Sequence, residues 1–84
     1  MNVEDEVLQV LDEVLSLGGR GVQFNRHTPL LGAVPELDSM AVVSVITALE
    51  ERVGIAVDDG EIDSSTFATV GSLIEFVTRR VREQ

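Results

Sequence analysis

The chain has 84 residues, enough for one domain spanning 1–84 and too few for a second sizeable core. It has no cysteine, which excludes disulfides, thiolate metal sites and a cysteine nucleophile. Its 15 Asp and Glu against 6 Arg give a net charge of −9, which disfavours nucleic acid and anionic membranes and favours proteins with basic patches. The opening MNVEDEV is acidic, unlike a signal or transit peptide, and no apolar run nears the roughly 20 residues that span a bilayer.

A first helix is predicted over NVEDEVLQVLDEVLSL. Val7, Leu8, Leu11, Val14 and Leu15 repeat with the spacing of one helical face. Asn2 suits the N-cap, Glu4, Asp5 and Glu6 suit the positive end of the helix dipole, and Gly18 and Gly19 end the helix. Residues 18–38 read as a long connection, because four glycines and the prolines Pro29 and Pro35 break any periodicity. A loop of this length in a small domain is usually functional or tied down. The reading here is that Thr28-Pro29 starts a single helical turn and that Leu30 and Leu31 plug the core.

The second helix is predicted from Ser39 to Val53, with Gly54 as its stop. Val42, Val45, Ile46, Leu49 and Val53 form the inward stripe, while Met40, Val43, Thr47 and Glu50 fall on another face. Met and Val directed at water suggest a surface that a partner covers. Ile55 and Val57 then read as an extended link, and Gly60 to Phe67 as a short helix with Ile62 and Phe67 turned inward. Thr69 caps the last helix, whose stripe is Val70, Leu73, Ile74, Val77 and Val81. Arg79, Arg80 and Arg82 sit at its negative end. The expected class is all-α: a small bundle of three long helices and one short one, with a long loop between helices one and two.

Little in this chain supports enzymatic chemistry. A hydrolase built on Ser39 would need a base, and the single histidine, His27, lies in a glycine-rich loop with no nucleophile-elbow pattern around the serine. The acids Asp58, Asp59, Glu61 and Asp63 lack the ligand spacing of a hand-type calcium loop. That leaves Leu37-Asp38-Ser39-Met40, at the threshold of the second helix. Asp38 is a good N-cap, which places Ser39 at the first helical position with its side chain outward. A phosphate on its oxygen would meet free N–H groups and the positive end of the dipole. An ordinary helix start has the same residues, so the tetrapeptide alone decides nothing.

The wider string LLGAVPELDSMAVVSVITALEERVGIAV, followed by STFATVGSLIEFV, resembles the acyl carrier protein family over about residues 3–82. The features that carry the resemblance are Asp38-Ser39-Met40 opening helix two, Leu49-Glu50-Glu51, a short third helix, and Thr69-Val70 opening the last helix. GAVPELDSMAVV also looks like a stand-alone bacterial subgroup associated with exopolysaccharide and protein-sorting gene clusters. The resemblance implies a covalent 4′-phosphopantetheine on Ser39, presented by Asp38 and installed from coenzyme A by a phosphopantetheinyl transferase. It implies a cytoplasmic, monomeric carrier of acyl thioesters with no catalysis of its own. Acyl-loading and acyl-transfer enzymes would dock on Met40, Val43, Thr47, Glu50 and Glu51. The chain departs from the family pattern at Met40, where Leu is usual, and at Ser44, where Glu is common. Residues 40–49 contain no acid, which points to a narrow set of partners recognised largely through apolar contact. Two alternatives stand beside this reading. A peptidyl or aminoacyl carrier would usually have Gly before the modified serine, against Asp38 here; an unmodified acidic docking module would keep the fold without the group.

Overall fold

The computed structural model describes residues 2–32, 34 and 37–83, apart from the side chains of Val22 and Asp59; Met1, Pro35, Glu36 and Gln84, which belong to the expectations above, lie outside them. Among the described residues are three α-helices: α1 over Val3–Val14, α2 over Ser39–Leu49 and α3 over Val70–Arg82. Their inward faces share one apolar core. Among the described residues no helix is long and apolar enough to cross a membrane.

Asn2 caps α1, its side-chain oxygen accepting the Asp5 N–H at 3.3 Å. Val7, Leu8 and Leu11 are buried as their spacing predicts, together with Val10. The helix stops earlier than the glycines suggest. Ser16 takes a left-handed φ of 53°, the Leu17 N–H reaches back to the Asp12 carbonyl at 2.9 Å, and the Ser16 N–H bonds that of Glu13 at 3.4 Å. This is the double back-bond of a Schellman ending. Burial of Leu17 accompanies the early wrap, and Gly18 and Gly19 serve the following turn.

The connection then packs along α1. A 3-10 turn, Arg20–Gln23, lets the Gly21 N–H donate to the Asp12 carboxylate at 2.9 Å. The helical turn expected from Thr28-Pro29 does not begin there; a single turn closes later, with the Val34 N–H on the Leu30 carbonyl at 2.9 Å. Pro29 instead pairs with Thr69 in an isolated antiparallel bridge. The Leu30 N–H bonds the Ala68 carbonyl at 3.0 Å, the Leu31 N–H that of Phe67 at 2.9 Å, and the Val70 N–H that of Thr28 at 2.9 Å. Proline biases Thr28 toward extended backbone, and the bridge satisfies polar groups on both segments. Side chains alternate along extended chain, so Leu30 enters the core while Leu31 faces out.

Along α2, Val45, Ile46 and Leu49 are buried, whereas Val42 and Val53 are half-buried. The helical path continues as one π turn, Glu50–Gly54, closed by the Ile55 N–H on the Glu50 carbonyl at 3.2 Å. Gly54 ends it at a φ of 77°. Arg52 fastens this turn to α1, donating to Glu6 at 3.0 Å, Gln9 at 2.9 Å and Glu13 at 3.0 Å. Those three acceptors lie three and four residues apart on one face of α1.

The short element is one 3-10 turn, Asp59–Glu61, rather than a continuous helix from Gly60 to Phe67. Beyond it the Asp63 carboxylate accepts the N–H groups of Ser65 and Thr66 at 2.9 and 3.2 Å. A side chain that captures backbone donors in this way makes a turn where a helix would otherwise run on. Phe67 is buried and Ile62 half-buried, as expected. Thr69 and Ser72 then form a reciprocal capping box at the start of α3. Val70, Leu73, Ile74 and Val77 are buried with Phe76, and Val81 is half-buried.

Candidate functional site

The start of α2 is held by Asp38. Its backbone is extended, and its carboxylate accepts the Ala41 N–H at 2.8 Å. That bond satisfies one of the otherwise free donors of the first turn. Ser39 is therefore the first helical residue, and it is exposed. Among the described residues its hydroxyl has no hydrogen-bond partner. The first turn contains no acid, so the positive end of the dipole is offset only by the cap itself.

Beside Ser39 lies an open cleft of about 390 Å³ that Asp38 and Ser39 both line. Leu31 from the long connection and Val42 from α2 supply apolar wall on one side; Ile62 and Phe67 supply it from the 60–67 segment, with Asp63 and Ser64 adding polar groups. An unpartnered hydroxyl, a helix start that favours negative charge and an apolar cleft fit a phosphodiester-linked arm with an apolar cargo.

The face of α2 that points away from α1 is apolar and open. Met40 is 75% exposed and Val43 62% exposed, and Thr47 and Glu51 are exposed along the same stripe. Leu31, 46% exposed, adds apolar surface at the cleft. Sequence reasoning placed Leu31 in the core; the Thr-Pro before it, read as extended rather than helical, would have turned it outward. Glu50 is half-buried, and its carboxylate accepts the Val57 N–H at 3.0 Å, so it also anchors the chain leaving α2.

The other sequence candidates sit apart from this arrangement. His27 is exposed in the turn from Asn25 to Thr28, with its N–H on the Asn25 side chain at 2.8 Å, and it makes no hydrogen bond to Ser39. The Ser65 hydroxyl, with backbone donors of Thr66 and Ser65, holds the Asp63 carboxyl below its ordinary range. Among the described residues no group of three His, Cys, Asp or Glu could hold a metal ion.

A family model described as a phosphopantetheine attachment site matches residues 5–77. An acyl carrier protein, AsbD of Bacillus anthracis, is 29% identical over 75 residues, covering 89% of this chain and 80% of that one. The solution NMR structure of a holo acyl carrier protein from Nitrosomonas europaea superposes with a TM-score of 0.88 at 49% identity, covering 98% of this chain and 99% of that one.

Proposed function

The chain belongs to the phosphopantetheine-attachment family and is an acyl carrier protein, and from that premise we propose that Ser39 is its attachment residue, presented by Asp38. The observation that carries the assignment is the free, exposed Ser39 hydroxyl at the first position of α2, beside the apolar cleft. When attached, 4′-phosphopantetheine supplies the terminal thiol on which an acyl group is held as a thioester. In loading, the Ser39 oxygen attacks the phosphorus of coenzyme A that bears the pantetheine arm. The bond from that phosphorus to adenosine 3′,5′-bisphosphate breaks, and the hydroxyl proton passes to a base on the transferase. The carrier's own contribution is positional. Asp38 fixes the first turn, the helix start favours the phosphodiester, and Leu31, Val42, Ile62 and Phe67 offer the cargo an apolar wall. Tethering keeps the cargo at a high effective concentration before a docked enzyme.

Its partners are phosphopantetheinyl transferases and acyl-handling enzymes in general, and the proposed docking face is Met40, Val43, Thr47 and Glu51, with Glu50 at its edge. Enzymes that combine an apolar contact with a basic patch fit that face, given the net charge of −9. The same charge favours a monomer that avoids nucleic acid and membranes, and residues 1–84 form one carrier domain with no catalysis of its own. A cytoplasmic location accords with a substrate, coenzyme A, found there. Incubation with coenzyme A and a broad-specificity transferase should add one phosphopantetheinyl mass to the wild type and none to Ser39→Ala. Labelling of the alanine variant would remove Ser39 from its role.

A further inference from the structure

We propose that Arg80, acting through Glu61, is a strut that fixes the outer wall of the Ser39 cleft and thereby limits the length of acyl chain the bundle shelters. The inference rests on the carrier reading above. The wall is the segment 58–66, and it has a void on each side. Ile62 and Ser64 line the apolar cleft, whereas Glu61, Ser65 and Thr66 line a polar hollow of about 350 Å³, and Asp63 borders both. Side chains of this one short segment thus divide between the two voids, as in a thin partition.

The partition is anchored at its end by buried Thr66 and held more lightly along 58–64. Two polar contacts tie this segment to α3, the Ser72 hydroxyl on the Thr66 carbonyl at 2.8 Å and the 2.9 Å ion pair from Glu61 to Arg80; among the described residues the second is the one that reaches 58–64. Ile62 adds half-buried apolar contact. Arg80 is itself well braced. Its guanidinium also pairs with Glu83 at 3.1 Å and donates to the Ala56 carbonyl at 2.9 Å. Glu61, Arg80 and Glu83 all line the polar hollow, so the strut crosses the space into which the wall would move. A longer chain in the cleft needs more apolar volume, and outward movement of the wall at Glu61 and Ile62 would displace this strut. Arg80 is therefore a positioning residue for cargo length and touches no reacting atom.

The test uses thioester lifetime as its readout. The apo protein is loaded by a broad-specificity transferase from butyryl- or myristoyl-coenzyme A, and loss of the acyl group to water is followed by intact mass. Arg80→Met should lengthen the lifetime of the myristoyl thioester about two- to fivefold, the range an exposed ion pair spans, and leave the butyryl thioester unchanged. Glu61→Gln should shift the ratio in the same direction, and Arg80→Lys, which keeps one contact to Glu61, should lie between. Arg79→Met removes an equal charge from the same hollow without touching the strut, and should leave both lifetimes as in the wild type. Equal shortening of both lifetimes would mean that Arg80 only braces the fold, and would overturn the proposal. So would unchanged lifetimes, or an Arg79→Met effect equal to that of Arg80→Met. Glu61→Gln decides the matter if Arg80→Met fails to fold. A wild type that does not load at all overturns the Ser39 assignment and the inference with it, whereas loading without length dependence overturns the inference alone.

Discussion

Asp38 and Ser39 are neighbours with different work. The Asp38 carboxylate makes the 2.8 Å capping bond to Ala41, whereas the Ser39 hydroxyl supports nothing in the described fold. Asp38→Ala should therefore cost about 1 kcal/mol of stability. Ser39→Ala should stay within about 0.5 kcal/mol of the wild type, as exposed substitutions without partners do. Urea midpoints at constant slope measure both. A larger loss at Ser39 would make it the structural residue and weaken its assignment as a display position. The cap at Asp38 and the exposed first helical position of Ser39 were legible in the sequence, because capping depends on residue type and on the periodicity that follows. Ser16 was not. Two glycines stood two residues further on, and nothing local says that burial of Leu17 accompanies a turn already at a serine.

At the scale of elements, the site depends on how the long connection is held against the start of α3. The Gly71 N–H donates to the Arg26 carbonyl at 2.9 Å, and a Cβ at Gly71 would lie 2.8 Å from that same oxygen. Both groups are backbone, so neither can swing aside cheaply. Gly71→Ala should destabilise by about 1–3 kcal/mol through this overpacking, even though alanine is favoured by roughly 1 kcal/mol in a helix. Gly60→Ala, where an added Cβ meets nothing within 4 Å, is the matched control. Equal midpoints for the two variants would show that the connection moves freely away from α3. The three helices were readable because their apolar spacing repeats within a few residues. The bridge between Thr28–Leu31 and Phe67–Val70 was not, since its partners are far apart in sequence and no local pattern marks them. That single omission misplaced Leu31, and with it one wall of the cleft. The turn at Asp63 was missed for a related reason: a carboxylate that captures the donors of Ser65 and Thr66 looks, in sequence, like any acid near a helix start.

For the whole molecule, the question is how a net charge of −9 is distributed when a partner approaches. Part of it is already engaged: Arg52 holds Glu6 and Glu13, Arg80 holds Glu61 and Glu83, and Glu50 is bonded to the Val57 N–H. Ser39–Leu49 contains no charged residue, so the proposed docking stripe is apolar at Met40 and Val43 and acidic only at its far end, at Glu51. The two halves should act on different rates. Apolar contact holds a formed complex, and its loss mainly speeds dissociation; a charge at the rim mainly speeds encounter. Met40→Ala should thus weaken binding to the transferase by about 1 kcal/mol, chiefly through a faster off-rate with the fold intact. Glu51→Lys should slow association most at low salt, and the difference should fade as ionic strength shortens the screening length to about 8 Å and below. Glu75→Lys, an equal reversal at an exposed position of α3, separates a local effect from one of net charge. If overall charge alone draws the partner, Glu51→Lys and Glu75→Lys will slow association equally and Met40→Ala will be silent. Stopped-flow association across a salt series distinguishes these cases, and that outcome would leave the exposed face of α2 without a role in docking.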